Sequence, residues 1–271
     1  MKLGVCYNVF DGEELLESSI TCIREYVDFI VVVGQEVSNF GERRDDLLPH
    51  LLKLKNQGLI DYIHKFTPVE IEGSHSGIVN EALKRNIGKD ICVKAGCTHN
   101  ITMDCDEMYI SKEFEKAKNK VEELDCDTSY ITYDNYYKKP YLRRVEQKML
   151  PYTTFIIKCD ERKYSKGISA VMVDPTRGVD CRKYYIFNRD EIKMHHYSYM
   201  RASEESLRRK LNNTSYRIHK EMDNKRNEIV DRYMNYEEGQ KALFPATNGY
   251  QEFELEKIED KLKLDVEKVI I

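Results

Sequence analysis

The stretch Thr98-His-Asn-Ile-Thr-Met-Asp-Cys-Asp-Glu-Met-Tyr109 decides how the rest of the chain is interpreted. Apolar residues at positions 101 and 103 predict a short strand, and three acids follow directly. Side chains alternate between the two faces of a strand, so we expect Asp104 and Asp106 to project together while Cys105 turns inward. Two carboxylates on one face supply the oxygen ligands that Mg²⁺ or Mn²⁺ prefers. The stretch therefore predicts a divalent-cation site that holds a phosphorylated ligand.

The chain contains a second copy of the same acidic spacing, Asp125-Cys126-Asp127. This copy follows a helical pattern instead of an apolar strand, and it is typical of a solvated turn between a helix and a strand. Because a metal site of this kind needs a strand end, the context favours Asp104 and Asp106 as the ligands.

Composition narrows the class of protein. The chain has 271 residues, of which 41% are hydrophobic and 33% charged, so it is long enough for one large domain or one domain with an extension. A net charge of −4 gives no general attraction for nucleic acids or membranes. The eight cysteines form no C-x-x-C pair, and no apolar run resembles a leader or reaches membrane-spanning length. These features predict a cytoplasmic protein with free thiols and no membrane span.

Strand and helix patterns alternate through the first half of the chain. Strands are predicted at Lys2–Tyr7 and Phe29–Val33, and between them Asp11 and Glu14 have the spacing of a capping box that opens a helix. This strand–helix–strand order is typical of a right-handed βαβ unit. Further segments are predicted as helices at Asp45–Asn56, Ser76–Ala95 and from Ser111, and as a strand at Leu59–Phe66.

The pattern changes after Asp127. Short segments rich in tyrosine and valine predict an antiparallel or mixed extension of the sheet, at Tyr130–Tyr133, Thr154–Lys158, Ile168–Val173 and Tyr184–Phe187. A helical region is predicted from Ser203 to about Glu238. The predicted fold is therefore α/β, with a mixed sheet flanked by helices and a mostly helical C-terminal extension.

Three segments resemble the nucleotide-sugar glycosyltransferases of the GT-A fold, closest to family-two-like enzymes. Tyr7-Asn8 with Glu13-Glu14-Leu-Leu-Glu17-Ser18 is similar to their first strand and acid-rich helix start. Lys84-Arg85-Asn86-Ile-Gly88 resembles their "Arg or Lys, x, Asn, x, Gly" segment, and Met103-Asp104-Cys105-Asp106-Glu107 resembles their D-x-D motif. The resemblance covers about residues 3–110.

The resemblance implies a Rossmann-like GT-A domain. Its nucleotide-sugar-binding half would be 1–110 and its acceptor-side half 111–200, followed by the extension 201–271. It also implies a hexosyltransferase-type enzyme that uses a nucleotide-diphosphate sugar, with UDP as the expected nucleotide, and Mn²⁺ or Mg²⁺. The residues implied in donor binding are Asn8, Glu13, Gln35, Glu36, Lys84, Arg85, Asn86 and Asp104. Gln35 and Glu36 are candidates for base contact because Gly34-Gln-Glu-Val-Ser38 replaces the family's Asp-x-x-Ser.

A histidine pair, His195-His196, is the second candidate for metal binding. On an extended segment the two rings face opposite sides, so only one reaches the cation, and we favour His196. In several GT-A enzymes a C-terminal histidine completes the metal shell. Transfer to a hydroxyl also needs a carboxylate base, for which Asp174 and Asp190 are the candidates.

The acceptor stays open between a glycan, a protein, a small metabolite and a hydroxymethylated base in viral-type DNA. For DNA, phosphates would lie on the basic run Leu207–Arg226 and on Lys138, Lys139, Arg143 and Arg144. A surface helix is the simpler interpretation of that run. Two alternatives remain, a non-catalytic sugar-nucleotide-binding module and a nucleotidyltransferase. The second lacks its expected glycine-rich basic loop, because Asn8-Val-Phe-Asp-Gly12 follows the first strand.

Overall fold

The structure is a computed structural model that describes residues 1–70, 76–145, 152–165, 169–213, 223–246 and 249–264. The predicted strand at Ile168 and the predicted helix across 214–222 therefore lie partly outside the described residues. No helix within the described ranges has both the length and the apolar character needed to cross a membrane.

Four parallel strands form the first half of the central sheet, in the order β3-β2-β1-β4. They are β1 (Leu3–Val9), β2 (Phe29–Gly34), β3 (Tyr62–Lys65) and β4 (His99–Asp104). Every residue of β1 is buried, because helices cover both faces of this half. Parallel pairing brings the carboxyl ends of β1, β2 and β4 to one edge, where α/β sheets bind ligands.

The second half of the sheet is mixed. Antiparallel neighbours continue it in the order β4-β8-β6-β7-β13, and β9 and β10 both run parallel to β6. The strands are β5 (Glu107–Met108), β6 (Thr128–Tyr137), β7 (Lys139–Arg144), β8 (Tyr152–Lys158), β9 (Tyr184–Ile186), β10 (Lys193–Tyr199) and β13 (Leu255–Lys257). Strand β10 also pairs with β5, so the histidine pair lies beside Glu107 and Met108. The predicted α/β class with a mixed sheet is confirmed.

The helices occupy the predicted places. They are α1 (Leu16–Ile23), α2 (Leu47–Asn56), α3 (Ser76–Lys94), α4 (Ser111–Leu124), α5 (Glu204–Asn213) and α6 (Asp223–Met234). Helix α3 lies so close to β1 that a Cβ added at Gly88 would stand 1.8 Å from Cys6 Sγ. Gly88 is thus required for helix–strand packing. The C-terminal extension combines α5 and α6 with β13 and a separate hairpin, β11 (Ala242–Ala246) and β12 (Gly249–Phe253).

Two local predictions are wrong. Asp11 does not cap the first helix: that segment opens as a 3-10 turn at Glu13–Leu15 behind Gly12, which has φ +82° and no side-chain cap. The carboxylates of Asp11 and Glu14 instead face Arg201. Among described residues 169–173 there is no strand; Val173 makes a single bridge to Tyr152.

Candidate functional site

The acidic motif lies at the carboxyl edge of the parallel strands. Asp104 ends β4 in register with Asn8 of β1, and Cys105 and Asp106 form the turn into β5. Cys105 is buried, as predicted. The Glu107 carboxylate accepts a hydrogen bond from the backbone N–H of Asp104, at 3.0 Å, and so holds the turn in place.

Two arginines contact the Asp104 carboxylate. Arg177 Nη2 lies 2.8 Å from Asp104 Oδ2, and Arg85 Nη2 lies 3.2 Å from Oδ1. Although burial acts to raise it, the pKa of Asp104 is lowered by these two guanidinium groups, so the group is a carboxylate at neutral pH. Its side chain is 36% exposed, which leaves it open to a ligand. Arg177 also pairs with buried Glu107.

Asp106 is more enclosed, with 8% of its side chain exposed. Arg201 Nη2 donates to its Oδ2 at 2.9 Å, and Lys210 Nζ from α5 lies 3.7 Å from the same oxygen. Burial acts to raise the pKa of Asp106, but Lys210, His196 and Arg201 together hold it well below its usual value. Asp106 is therefore also ionised at neutral pH.

His196 is the histidine that meets the acidic motif. Its Nε2 lies 3.6 Å from Asp106 Oδ1, and its Nδ1 lies 3.0 Å from Asn135 Oδ1. If Nδ1–H donates to that amide oxygen, Nε2 turns a lone pair toward a carboxylate. A proton or a metal ion between the two atoms removes this repulsion, and a carbonyl-oriented imidazole is a common arrangement for a metal ligand.

Acidic and basic side chains are interleaved around the motif. Six carboxylates and four cationic side chains lie there, linked by ion pairs or by the electrostatic effect of one on another. The carboxylates are Asp11, Glu14, Asp104, Asp106, Glu107 and Asp174, and the cations are Arg85, Arg177, Arg201 and Lys210. Within the described ranges no three His, Cys, Asp or Glu side chains already surround one ion position. Asp104, Asp106 and His196 have the residue types of a divalent-cation site and are the candidate ligands.

His195 points to the other side of β10. Its Nδ1 lies 2.6 Å from the Tyr136 hydroxyl, and its ring is 3% exposed. Burial lowers its pKa to about 4. Since no described contact joins His195 to Asp104 or Asp106, the structure does not bring this candidate to the metal position.

Lys84 and Arg85 of α3 are buried rather than solvated, and Asn86 is partly buried. Arg85 reaches the site, where it also donates to Thr102 at 2.9 Å. Lys84 pairs with Glu81 at 2.7 Å, and Asn8 donates to the same carboxylate at 3.3 Å. Asn86 instead hydrogen-bonds the backbone of Tyr164 through both amide atoms, so the structure gives it a packing role.

The remaining donor-side candidates differ in availability. Glu13 is paired with Arg44, and Glu36 with Lys65. Gln35 directly follows β2 and is buried, and its Oε1 has no hydrogen-bond partner among the described residues. Of the two base-contact candidates, Gln35 is thus the one whose side chain is not already in an ion pair.

The two candidate bases, Asp174 and Asp190, lie in different parts of the structure. Asp174 accepts hydrogen bonds from Thr176 N and Oγ1 at 2.7 and 2.5 Å, and its charge acts on Arg85 and Arg177. It therefore lies on the same side as Asp104. Asp190 is exposed in a turn next to Arg189, which binds Asp134 on the opposite face of the sheet. The structure does not bring Asp190 to the motif.

Sequence interpretation missed Arg177 and Arg201, the strongest partners of the two aspartates. Each follows a candidate site residue closely, Arg177 after Asp174 and Arg201 after His196, and this spacing was the available signal. Helix α5 was expected to be a surface helix, yet Lys210 reaches Asp106. In the other basic stretch, Lys138 donates to the backbone of Tyr233, Arg143 pairs with Asp134, and Arg144 stacks on Phe253.

The second acidic copy behaves as predicted from its context. Asp125 ends α4 in a left-handed conformation with φ 48°, and its side chain is 77% exposed. Asp127 accepts hydrogen bonds from the backbone of Arg182 and Lys183. The second acidic copy is therefore a structural turn, and it supplies a matched control for the first copy.

Comparison with known proteins gives matches only among solved structures. No family model and no curated protein sequence matches the chain. The S. aureus TarS 1-349 structure is 12% identical with a TM-score of 0.46, covering 87% of this chain and 71% of that one. The same protein in complex with UDP-GlcNAc is 14% identical with a TM-score of 0.43, covering 87% and 72%.

A third similar structure is GalNAc-T7 with UDP, GalNAc and Mn²⁺, which is 12% identical with a TM-score of 0.44. The match covers 78% of this chain and 47% of that structure, so this chain spans less than half of its length. TarS and GalNAc-T7 are GT-A glycosyltransferases, the class that the sequence resembles. At such low identities and TM-scores these likenesses assign no role to any residue here.

Proposed function

We propose that the chain is a glycosyltransferase that moves a sugar from a nucleotide-diphosphate donor, with UDP as the nucleotide, to a hydroxyl acceptor. The observation that carries the proposal is the approach of His196 Nε2 to the Asp106 carboxylate, 3.6 Å apart, at the carboxyl edge of the parallel strands. The ionised, partly exposed carboxylate of Asp104 at the end of β4 supports a divalent cation at this point.

Asp104, Asp106 and His196 would hold Mn²⁺ or Mg²⁺. When bound, the ion supplies Lewis-acid stabilisation of the charge that develops on the departing diphosphate. Lys210 and Arg85 lie beside the same carboxylates and would neutralise the phosphate oxygens. Gln35, at the end of β2, is the candidate for contact with the nucleotide base.

The acceptor step needs a base on the same side. Asp174 is the candidate, because its charge acts on both arginines that bind Asp104. Its carboxylate would take the hydroxyl proton while the acceptor oxygen bonds to the anomeric carbon and the bond to the diphosphate breaks. Thr176 orients this carboxylate through two hydrogen bonds.

Donor hydrolysis tests the proposal without knowledge of the acceptor. The protein is incubated with UDP-glucose, UDP-galactose or UDP-N-acetylglucosamine and Mn²⁺, and released UDP is measured. We expect slow, Mn²⁺-dependent hydrolysis that falls at least about 100-fold in Asp106→Asn, since a transition-state charge contact is lost. His196→Gln should weaken Mn²⁺ binding at least about tenfold.

Asp125→Asn makes the same chemical change in the second acidic copy and should leave hydrolysis unchanged. Hydrolysis that persists with both chelator and Asp106→Asn would contradict the proposal. Asp174→Asn, assayed with an acceptor once one is known, should lower transfer more than donor hydrolysis.

A further inference from the structure

A cavity of about 170 Å³ lies on the face of the sheet away from His196. Alternate residues of two neighbouring strands line it, Asp134 and Tyr136 from β6 and His195 and Tyr197 from β10. Asn135 and His196 occupy the intervening positions and therefore face the acidic motif. The C-terminal segment at 258–262 forms the outer wall.

His195 lines this cavity with a ring that is almost fully buried. The residue is 3% exposed and its Nδ1 is bonded to Tyr136, whereas its Nε2 has no hydrogen-bond partner among the described residues. Buried polar atoms in proteins are almost always paired, so this nitrogen lacks its expected partner. A ligand hydroxyl can pair with this nitrogen in either tautomer, because it both donates and accepts.

The apolar part of the wall is aromatic and aliphatic. The rings of Tyr136 and Tyr197 are stacked with centroids 4.4 Å apart, and Pro140, Ile258 and Leu262 complete the surface. At roughly 30 Å³ for each water, the cavity holds the equivalent of five or six waters. That volume suits one small ring rather than a nucleotide.

The charges facing the cavity nearly cancel, which decides the class of ligand. Arg143 is bound to Asp134 at 3.1 Å and to Glu256 at 2.7 Å. Lys193 and Lys261 act through their charge on the carboxylate of Glu113. The groups on this side are Arg143, Arg189, Lys193 and Lys261 against Glu113, Asp134, Glu256, Glu259 and Asp260. Neither positive nor negative charge is in large excess. The wall therefore favours a neutral ligand that has both hydrogen-bond donors and acceptors.

We propose that this cavity binds one neutral saccharide unit, at a site separate from Asp104 and Asp106. A saccharide combines hydroxyl groups with an apolar ring face, and the cavity offers charged donors, carboxylate acceptors and tyrosine rings to match. The two sites share a strand: the backbone N–H of Tyr197 donates to Asp106 O at 2.7 Å. The inference does not depend on the chemistry proposed at the acidic motif.

The test follows the His195 imidazole directly. Protein labelled with ¹⁵N-histidine is titrated with D-glucose, N-acetyl-D-glucosamine or inorganic phosphate, each up to about 100 mM, where a Kd near 1 mM saturates. The His195 signals are assigned from the His195→Gln variant. We expect a saturable shift with at least one of the neutral sugars and none with phosphate.

Two pairs of variants give the controls. Tyr136→Phe removes the hydrogen bond that orients His195 and should weaken sugar binding about fivefold, the effect of one neutral hydrogen bond, while Tyr184→Phe at an exposed position should not. Leu262→Phe fills the cavity and should abolish the shift, while Leu52→Phe on the exposed face of α2 should preserve it. Circular dichroism confirms that each variant is folded.

Several outcomes would overturn the inference. One is the absence of any saturable His195 shift with either sugar, and another is equal sugar binding by wild type and a folded Leu262→Phe. Saturation by phosphate alone would assign the cavity to an anion and would refute the neutral class.

Discussion

The role of an individual residue in this protein depends on the partners that it contacts in the folded chain. Two adjacent histidines of β10 have entirely different partners. His196 turns to a carboxylate and an amide oxygen, and His195 turns to a tyrosine hydroxyl and a cavity. Because consecutive side chains of a strand face opposite sides, one residue of sequence separates a candidate ligand from a buried neutral ring.

The burial of His195 predicts acid sensitivity. Its pKa falls from 6.5 to about 4 on folding, so between these values the unfolded chain binds more protons than the folded one. The free energy of unfolding is unaffected by this group above pH 6.5. It decreases by about 3 kcal/mol as the pH falls toward 4. We expect urea unfolding of His195→Gln to depend less on pH across this range than that of wild type.

The comparison is made with the variant at each pH because other groups titrate nearby. Burial lowers the pKa of His99 in the same direction, whereas burial raises the pKa of Glu14 and Glu107, which acts in the opposite sense. Parallel pH profiles for wild type and His195→Gln would contradict the predicted contribution.

At the scale of elements, the approach of α3 to β1 sets the shape of the site. Gly88 lets the helix lie against Cys6, and this packing brings Arg85, one turn earlier, beneath Asp104. The glycine in the Lys84–Gly88 segment is thus explained by backbone approach, one of the two reasons for which a helix retains such a residue.

Gly88→Ala should therefore destabilise the protein although alanine is the better helix former. A Cβ at 1.8 Å from Cys6 Sγ forces repacking that costs roughly 1–3 kcal/mol, against a propensity gain of about 1 kcal/mol. The free energy of unfolding from urea denaturation measures the balance. Asp90→Ala, exposed on the same helix, should change it by less than about 0.5 kcal/mol.

A double variant checks the cause. Cys6→Ala removes the closest sulfur atom, so Cys6→Ala/Gly88→Ala should lose less stability than the two single changes added together. A stabilising Gly88→Ala would show that helix and strand can separate at no cost, contrary to the contact described.

At the scale of the whole molecule, the candidate site joins distant parts of the chain. Asp104 and Asp106 come from β4 and the turn that follows, His196 from β10, and Lys210 from α5. Glu42, after β2, also receives hydrogen-bonding and ionic contacts from Asn213 and Arg209 of α5. A ligand bound here would therefore stabilise both the N-terminal and the C-terminal parts of the chain against unfolding.

Ligand linkage gives a test that needs no turnover. Mn²⁺ with UDP, at about 100 times its Kd, should raise the free energy of unfolding by about 2.7 kcal/mol and shift the thermal midpoint upward. Asp106→Asn should lose the shift and Asp125→Asn should keep it. UDP that stabilises both variants equally, with or without chelator, would place the nucleotide elsewhere.

Sequence patterns alone predicted the alternation of strands and helices, the position of the acidic motif at a strand end, and the structural character of its second copy. These features depend on local periodicity and on neighbours within a few residues, which a single chain displays directly. A glycine inside a helical pattern also indicated a close approach at Gly88, by a ligand or by backbone, and the structure shows that the approach is to β1.

Only the tertiary structure decided which side chains meet. Arg177 and Arg201 contact the two aspartates from more than 70 residues away along the chain. Asn86 hydrogen-bonds the backbone of Tyr164, and Asp11 faces Arg201 instead of capping a helix. Such contacts depend on strand order and on the distance between packed elements, and neither leaves a periodic trace in the sequence. The physical reason is that charge pairing acts through space, so its partners are set by the fold and not by spacing along the chain.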